Sequence, residues 1–129
     1  MAETAYFGET LKSGSGLLAA ADLSGKQFYA VTLGASGINL ISAQGAAGVK
    51  VLTNKPQQGD PCALVDIGET KAVAGAAITK GARVMTDASG RFIPYVNNGT
   101  NVPVGEARMA ASNAGDIITI FLIPTVSSA

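Results

Sequence analysis

The sequence predicts an all-β protein: a compact β-barrel or β-sandwich of short antiparallel strands, preceded by an extended N-terminal arm. Three observations support this fold class. Short apolar or alternating runs recur along the chain, turn residues interrupt them about every 8 to 12 residues, and no run has the length and period of a conventional helix. The pattern corresponds to about nine or ten short strands in one domain.

The apolar runs locate the strands in chain order. The first run covers residues 27–33, and because both of its faces are apolar we expect burial on both sides or a place at an interface. The run Ile117–Ile123 would be an aggregation hazard at an open edge, so we expect it to lie centrally or against a partner. The remaining runs lie at 38–42, 49–53, 63–67, 71–74, 82–86, 91–96 and 102–109.

Turn chemistry separates these runs. The tripeptide Asn54-Lys55-Pro56 ends one strand, because proline lacks the N–H that a sheet ladder requires. Asp87-Ala-Ser-Gly90 predicts a hairpin, since glycine can adopt the left-handed conformation that closes such a loop. Asn97-Asn98-Gly99 predicts another tight turn. These turns therefore mark the ends of the predicted strands.

Residues 1–25 are predicted to form an extended or irregular arm, and residues 26–129 a single β domain. The arm is rich in Gly, Ser, Thr and Ala, and residues 12–16 resemble a flexible linker. A free arm rarely carries adjacent aromatic residues, so we expect those at its start to dock on this domain or on a neighbouring subunit. The candidate contacts with another subunit or a partner are Tyr6, Phe7, Leu11, Leu17, Leu18, Phe28 and Tyr29.

Composition limits the classes of partner. The 129 residues include 14% charged residues with a formal net charge of zero, which suits a surface partly covered by neighbouring proteins. No basic excess is present to neutralise phosphates, so we expect no nucleic-acid partner. No secretion signal or membrane-spanning apolar run is evident. We therefore expect that the protein is made in a cytoplasm and does not associate with a membrane.

The residues that carry catalysis are mostly missing. The chain has no histidine and one cysteine, Cys62, which excludes a catalytic triad and makes a zinc site improbable. The only Gly-Lys pair, Gly25-Lys26, lacks the other residues of a phosphate-binding loop. The acidic residues are scattered and do not form a calcium-binding array. We therefore predict no enzymatic activity and no catalytic, cofactor-binding or metal-binding residues.

Three passages resemble the small capsid decoration, or cement, proteins of tailed bacteriophages. They are V-L-T-N-K-P (51–56), G-E-T-K-A-V-A-G-A-A-I-T-K-G-A-R-V-M-T-D-A-S-G-R (68–91) and V-G-E-A-R-M-A-A-S-N-A-G-D-I-I-T-I-F-L-I-P (104–124). The resemblance covers residues 27–124 and rests on structural motifs. Some members of this family carry a RecA/RadA-like recombinase label, and the missing phosphate-binding loop argues against that label here.

The resemblance implies a structural virion protein on the outer surface of the phage capsid. Its partners would be the major capsid protein and further copies of itself, with a trimer favoured, and it would stabilise the capsid by bridging neighbouring capsid proteins. No cofactor is implied. An alternative remains open: a carbohydrate- or cell-surface-binding β domain displayed on the virion, with the loop around residues 97–101 as its binding site.

Overall fold

The computed structural model describes residues 11–13 and 17–125, which contain strands and no helix. The all-β prediction is confirmed. These described residues contain nine strands, in the order β1 Leu11–Ser13, β2 Ala30–Gly34, β3 Gly37–Leu40, β4 Lys50–Leu52, β5 Leu64–Val73, β6 Arg83–Thr86, β7 Phe92–Pro94, β8 Gly105–Ala107 and β9 Ile117–Leu122.

The strands form one antiparallel sheet that curls into a half-barrel. Eight strands follow the order β3-β2-β4-β5-β9-β8-β6-β7, and β1 pairs with β5 beside this path. A parallel bridge between Ala74 and Phe92 connects the end of β5 to the start of β7. Curling of this kind lets a small domain bury one face of its sheet without a covering helix layer.

Strand β5 joins the two halves of the sheet. Its first residues, Leu64 and Val65, pair with both β4 and β1, whereas its second part, from Gly68 to Val73, pairs with β9. Gly68 stands where the partner changes and has a positive φ of 115°. Because residues with a side chain rarely adopt this conformation, glycine is the residue that permits the change of direction there.

Strand β9 occupies the centre of the sheet, between β5 and β8. The expectation that the run from Ile117 lies centrally is therefore confirmed. Along β9 the side chains alternate: Ile118, Ile120 and Leu122 are buried, and the intervening residues face outward. The strand supplies both the centre of the core and the centre of an exposed surface.

In the described part of the chain, buried apolar side chains form two clusters. The larger one lies inside the curled sheet and includes Phe92, Ile120 and Leu122. The smaller one packs Val31, Ile38, Leu52 and Leu64 against Ala19 and Leu23, which precede the first long hairpin. The Ala19 N–H donates to the Asp60 carbonyl over 2.9 Å, so residues 17–23 contact the body. The division of the chain at residue 25 stays a prediction.

The turns predicted at 54–56 and 87–90 have the expected positions, but the runs 63–67 and 71–74, predicted as two strands, form the single strand β5. Two predicted strands also begin late: β2, and the run 102–109, which is a strand only over Gly105–Ala107. Strand β4 ends at Leu52, just before Asn54-Lys55-Pro56, and Gly90 closes the β6–β7 hairpin with a φ of 80°. Strand β2 begins at Ala30 instead of residue 27, because Phe28 has a φ of 70°, outside the β region. The expected burial of both faces applies to Ala30 and Val31, while Leu33 is 54% exposed.

A candidate interaction face on the curled sheet

The outward side of strands β5, β9, β8 and β6 carries mostly exposed or half-buried side chains in the part of the chain that the structure describes, although Val73 beside Phe28 is buried. We name this side the outer face. Its members project from neighbouring positions of these strands or directly follow β7, β8 or β9, and they are Glu69, Lys71, Arg83, Tyr95, Glu106, Arg108, Ile117, Thr119, Phe121 and Ile123.

The central strand places large apolar side chains on the outer face. Ile117 is 53% exposed and Ile123 is 40% exposed, while Phe121 is half-buried between them. A sheet face that contacts water usually carries polar residues at these alternate positions. Apolar side chains on both sides of a central strand are therefore an observation that the fold itself does not require.

A row of aromatic and charged residues crosses the outer face at right angles to β9. Phe121 lies opposite Glu69 of β5 on one side and Glu106 of β8 on the other. Glu106 in turn lies opposite Arg83 of β6, whose guanidinium stacks 5.0 Å from the centre of the Tyr95 ring. With strands about 4.8 Å apart, the row extends about 19 Å across the sheet.

Arg108 fixes the centre of this row. Its Nε donates to Glu106 Oε1 over 3.0 Å, and its Nη1 donates to Glu69 Oε2 over 3.2 Å. Its guanidinium also lies 4.9 Å from the centre of the Phe121 ring. These side chains are about half exposed, so each ion pair contributes little stability, about 0–1 kcal/mol. Their main consequence is an arginine held in one orientation on the surface.

A third cation extends the outer face towards the start of β2. Lys71 lies opposite Thr119 in β5–β9 pairing, and its Nζ is 5.9 Å from the centre of the Phe28 ring. The Val73 N–H donates to the Phe28 carbonyl over 3.0 Å, which holds this irregular segment against β5. The structure thereby connects one candidate contact residue from the sequence analysis, Phe28, to the outer face.

The other candidate contacts are distributed elsewhere. Tyr6 and Phe7 lie outside the described residues, and Leu11 is described only by its backbone, which pairs with Ile67. Leu17 is half-buried against the smaller cluster. Leu18 is 45% exposed at its bridge to Pro61, and Tyr29 packs its ring 4.8 Å from Lys26 Nζ. A contact role for these residues stays a prediction.

Sequence reasoning did not identify the residues of the row. Arg83, Glu106 and Phe121 lie far apart in the chain and become neighbours only through strand order, which the sequence does not show. One signal was available: residues 117–123 are apolar at nearly every position, so a half-buried strand must expose some of them.

The loop around residues 97–101 uses its polar groups internally. The Asn98 Oδ1 accepts from the Thr100 N–H, the Thr100 hydroxyl and the Asn101 N–H over 2.8–3.1 Å. The Asn97 Oδ1 accepts from the Gly99 N–H over 3.2 Å. A sugar would need these groups as partners, so the geometry gives no observation that favours the carbohydrate-binding alternative.

Sites for chemistry are likewise not evident in the described part of the chain. Residues 11–13 and 17–125 contain no group of three or more side chains that could hold a metal ion. The Cys62 thiol is buried, and burial, with a smaller effect of the Asp60 charge, raises its pKa. Within the same residues no helix is long and apolar enough to cross a membrane.

Two similarities connect the chain to known proteins. A protein-family model described as phage cement protein matches residues 12–122. Among solved structures, the chain is similar to the N base of the head fiber gp8.5 in bacteriophage phi29, with a TM-score of 0.63 and 17% identity over 92% of this chain and 99% of that chain. At this identity the likeness shows the fold. No curated protein matches the chain. The recombinase label gains no support from these matches.

Proposed function

Because this chain belongs to the phage cement protein family, we propose that it binds the outer surface of the phage capsid and stabilises it by bridging neighbouring major capsid proteins. The coarser statement, that it is a structural component of the phage virion, follows from the family. The bridging role requires a rigid body with an uncovered contact surface. In this account the protein acts by binding and performs no catalysis.

The observation that carries the proposal is the apolar outward side of the central strand. Ile117 and Ile123 are exposed there beside a half-buried Phe121 and a fixed Arg108. Aromatic residues and arginine are the side chains that contribute most at protein interfaces, where they lose water on binding. We propose that this outer face is covered by a capsid protein in the virion.

The size of the outer face indicates that it is one of several contacts. The row extends about 19 Å across the sheet and β9 with Ile123 extends about 20 Å along it, so the face covers about 400 Å². A stable protein interface buries about 800 Å² on each partner. A bridging protein would therefore need further contact surface, and we propose that the first residues of the chain supply part of it through Tyr6 and Phe7.

We also propose a homo-oligomer, with a trimer favoured, in which the N-terminal segment contacts a neighbouring subunit. A segment tethered to a bound body adds avidity, because its local concentration at the neighbour is high. Leu17, Leu18, Phe28 and Tyr29 are further candidate contacts in this assembly. Removing residues 1–10 should leave the β body folded and should weaken capsid binding or subunit association, as measured by native mass and capsid co-sedimentation.

Binding to capsids that lack this protein tests the proposal. The variants are Ile117→Ser and Ile123→Thr on the outer face, and the matched controls are Leu33→Ser and Val96→Thr, which are 54% and 57% exposed outside it. We expect the outer-face variants to bind about tenfold or more weakly, which corresponds to about 1.4 kcal/mol, while the controls bind like wild type.

All four substitutions replace exposed side chains, so the variants should fold and their melting temperatures should stay close to wild type. Wild-type protein that does not bind such capsids would contradict the proposed function. Equal binding by the outer-face variants and the controls would instead show that the capsid contact lies on another surface.

A further inference from the structure

We propose that the outer face docks on an acidic patch of its protein partner, whose carboxylates pair with Lys71, Arg83 and Arg108. The inference rests on the proposed function, since it takes the capsid surface as the partner. It adds the chemistry of the partner, which neither the family nor the similar structure specifies.

Hydrogen-bond donors outnumber acceptors among the charged groups of this face. Arg108 uses two of its N–H donors on Glu69 and Glu106, and a guanidinium has five. Neither Lys71 nor Arg83 forms an ion pair with a carboxylate in residues 11–13 and 17–125; each instead lies against an aromatic ring. The face therefore offers guanidinium and ammonium donors that a partner has to satisfy once water is excluded.

The formal charges agree with this donor excess. The outer face contains three cations, Lys71, Arg83 and Arg108, and two carboxylates, Glu69 and Glu106. Its net charge is therefore positive, 3 − 2 = +1, in a chain whose formal net charge is zero. A partner patch with carboxylates opposite these cations is the complementary surface, and like charges there would be repelled.

Aromatic contacts prepare the cations for binding. Arg83 stacks on Tyr95, Lys71 on Phe28 and Arg108 on Phe121, with separations of 4.9–5.9 Å from the ring centres. A long side chain that is already held in place loses less conformational entropy when it binds. Arginine also matches a carboxylate with two parallel hydrogen bonds, which would set the orientation of the partner.

The order of charges favours an acidic protein surface over a nucleic acid. A polyanion would need a continuous series of cations along its backbone. Here Glu106 lies between Arg83 and Phe121, and Glu69 lies on the far side of Phe121, so carboxylates interrupt the cations at each step. A protein surface can place single carboxylates between apolar contacts to Ile117 and Ile123, whereas a phosphate backbone cannot.

Charge reversal tests this inference with the same capsids. The variants are Arg83→Glu and Lys71→Glu, and the matched controls are Lys55→Glu and Lys80→Glu, exposed lysines outside the outer face that change the net charge equally. We expect each outer-face variant to bind capsids at least about tenfold more weakly, with controls within about twofold of wild type. Arg83→Lys, which keeps the charge, should retain more binding than Arg83→Glu.

The salt dependence gives a second readout. Wild-type association with capsids should slow as salt is raised, and the dependence should be smaller for Arg83→Glu, because a steering charge has been removed. Equal binding by the reversed variants and their controls would overturn the acidic-patch inference, as would tighter binding by Arg83→Glu. Either result leaves the proposed function intact as long as the wild-type protein binds capsids. If the wild-type protein does not bind, the proposed function itself is contradicted.

Discussion

In strand β9, the same substitution should mainly reduce stability at one isoleucine and mainly reduce capsid binding at another. Ile120 is fully buried, whereas Ile117, three residues earlier in β9, is 53% exposed. Ile120→Ala removes buried methyl groups and leaves a cavity in the larger cluster, which costs about 2–5 kcal/mol. Burying an entire isoleucine side chain contributes about 1.5–3 kcal/mol. Because Ile117 is about half exposed and alanine keeps its Cβ, Ile117→Ala should lose at most about 1 kcal/mol.

Thermal and urea unfolding of the two alanine variants measure this contrast. For a domain of this size, each kcal/mol shifts the melting temperature by about 3–5 °C, so Ile120→Ala should melt about 6–25 °C lower and Ile117→Ala about 5 °C lower or less. Capsid binding at a temperature where both are folded should show the reverse order. If Ile117→Ala destabilises the protein as much as Ile120→Ala, our assignment of the inner and outer sides of β9 is wrong.

A glycine substitution and a thiol-labelling reaction test two further features, the close approach of β8 to β9 and the burial of Cys62. Gly105→Ala should lower the free energy of unfolding by about 1–3 kcal/mol, because its Cβ would overlap the backbone of Phe121 in the paired strand; Gly25→Ala, where a Cβ meets nothing within 4 Å, is the control, and equal stability of both variants would refute the close β8–β9 approach. The Cys62 thiol should react slowly with a disulfide reagent at about pH 8 in the folded protein and rapidly in denaturant, since its raised pKa disfavours the reactive thiolate; fast labelling of the folded protein would contradict its burial.

The all-β class was predictable because its signals are local. Turn residues such as Asn54-Lys55-Pro56 and Gly90 act on their own segment of chain, and their positions in the structure agree with that prediction. The central place of β9 was also predictable, since a run as apolar as Ile117–Ile123 tolerates few other positions. Local turn signals and the cost of exposing apolar strands were therefore enough to predict this part of the fold.

The start of β2 could not be predicted from the pattern. The run from Gln27 is apolar on both faces, as in a buried strand, but Phe28 has a positive φ and its N–H donates to the Leu52 carbonyl over 2.6 Å. The tertiary contact with Leu52 and the ring contact with Lys71 hold this segment outside a regular strand. Tertiary interactions of this kind override local preference.

The packing of residues 17–23 was also beyond the sequence. Glycine and serine around this segment indicate a flexible linker, yet Ala19 and Leu23 are buried in the smaller cluster. The Ala20 N–H donates to the Ile38 carbonyl over 2.9 Å, and the Leu23 N–H donates to the Pro56 carbonyl over 2.9 Å. A truncation intended to spare the fold should therefore end before residue 11, since residues 11–13 also pair with β5.

The candidate site depended on strand order, and strand order is set by long-range pairing. Arg83, Glu106, Phe121 and Glu69 come from four strands and meet only because β9 lies between β5 and β8, with β6 beside β8. Arg108 then contacts three members of this row at once. Spacing along the chain carries no information about such a row. Composition indicated only that the surface would be weakly charged.

Electron microscopy of purified virions, at a resolution that traces the strands, would show whether the outer face binds the major capsid protein. We expect stoichiometric density for this protein on the capsid exterior, with Ile117, Phe121 and Arg83 of the outer face against a major capsid protein. Each copy or oligomer should contact more than one capsid subunit. Absence of the protein from the exterior, or an outer face that contacts only solvent, would contradict these expectations.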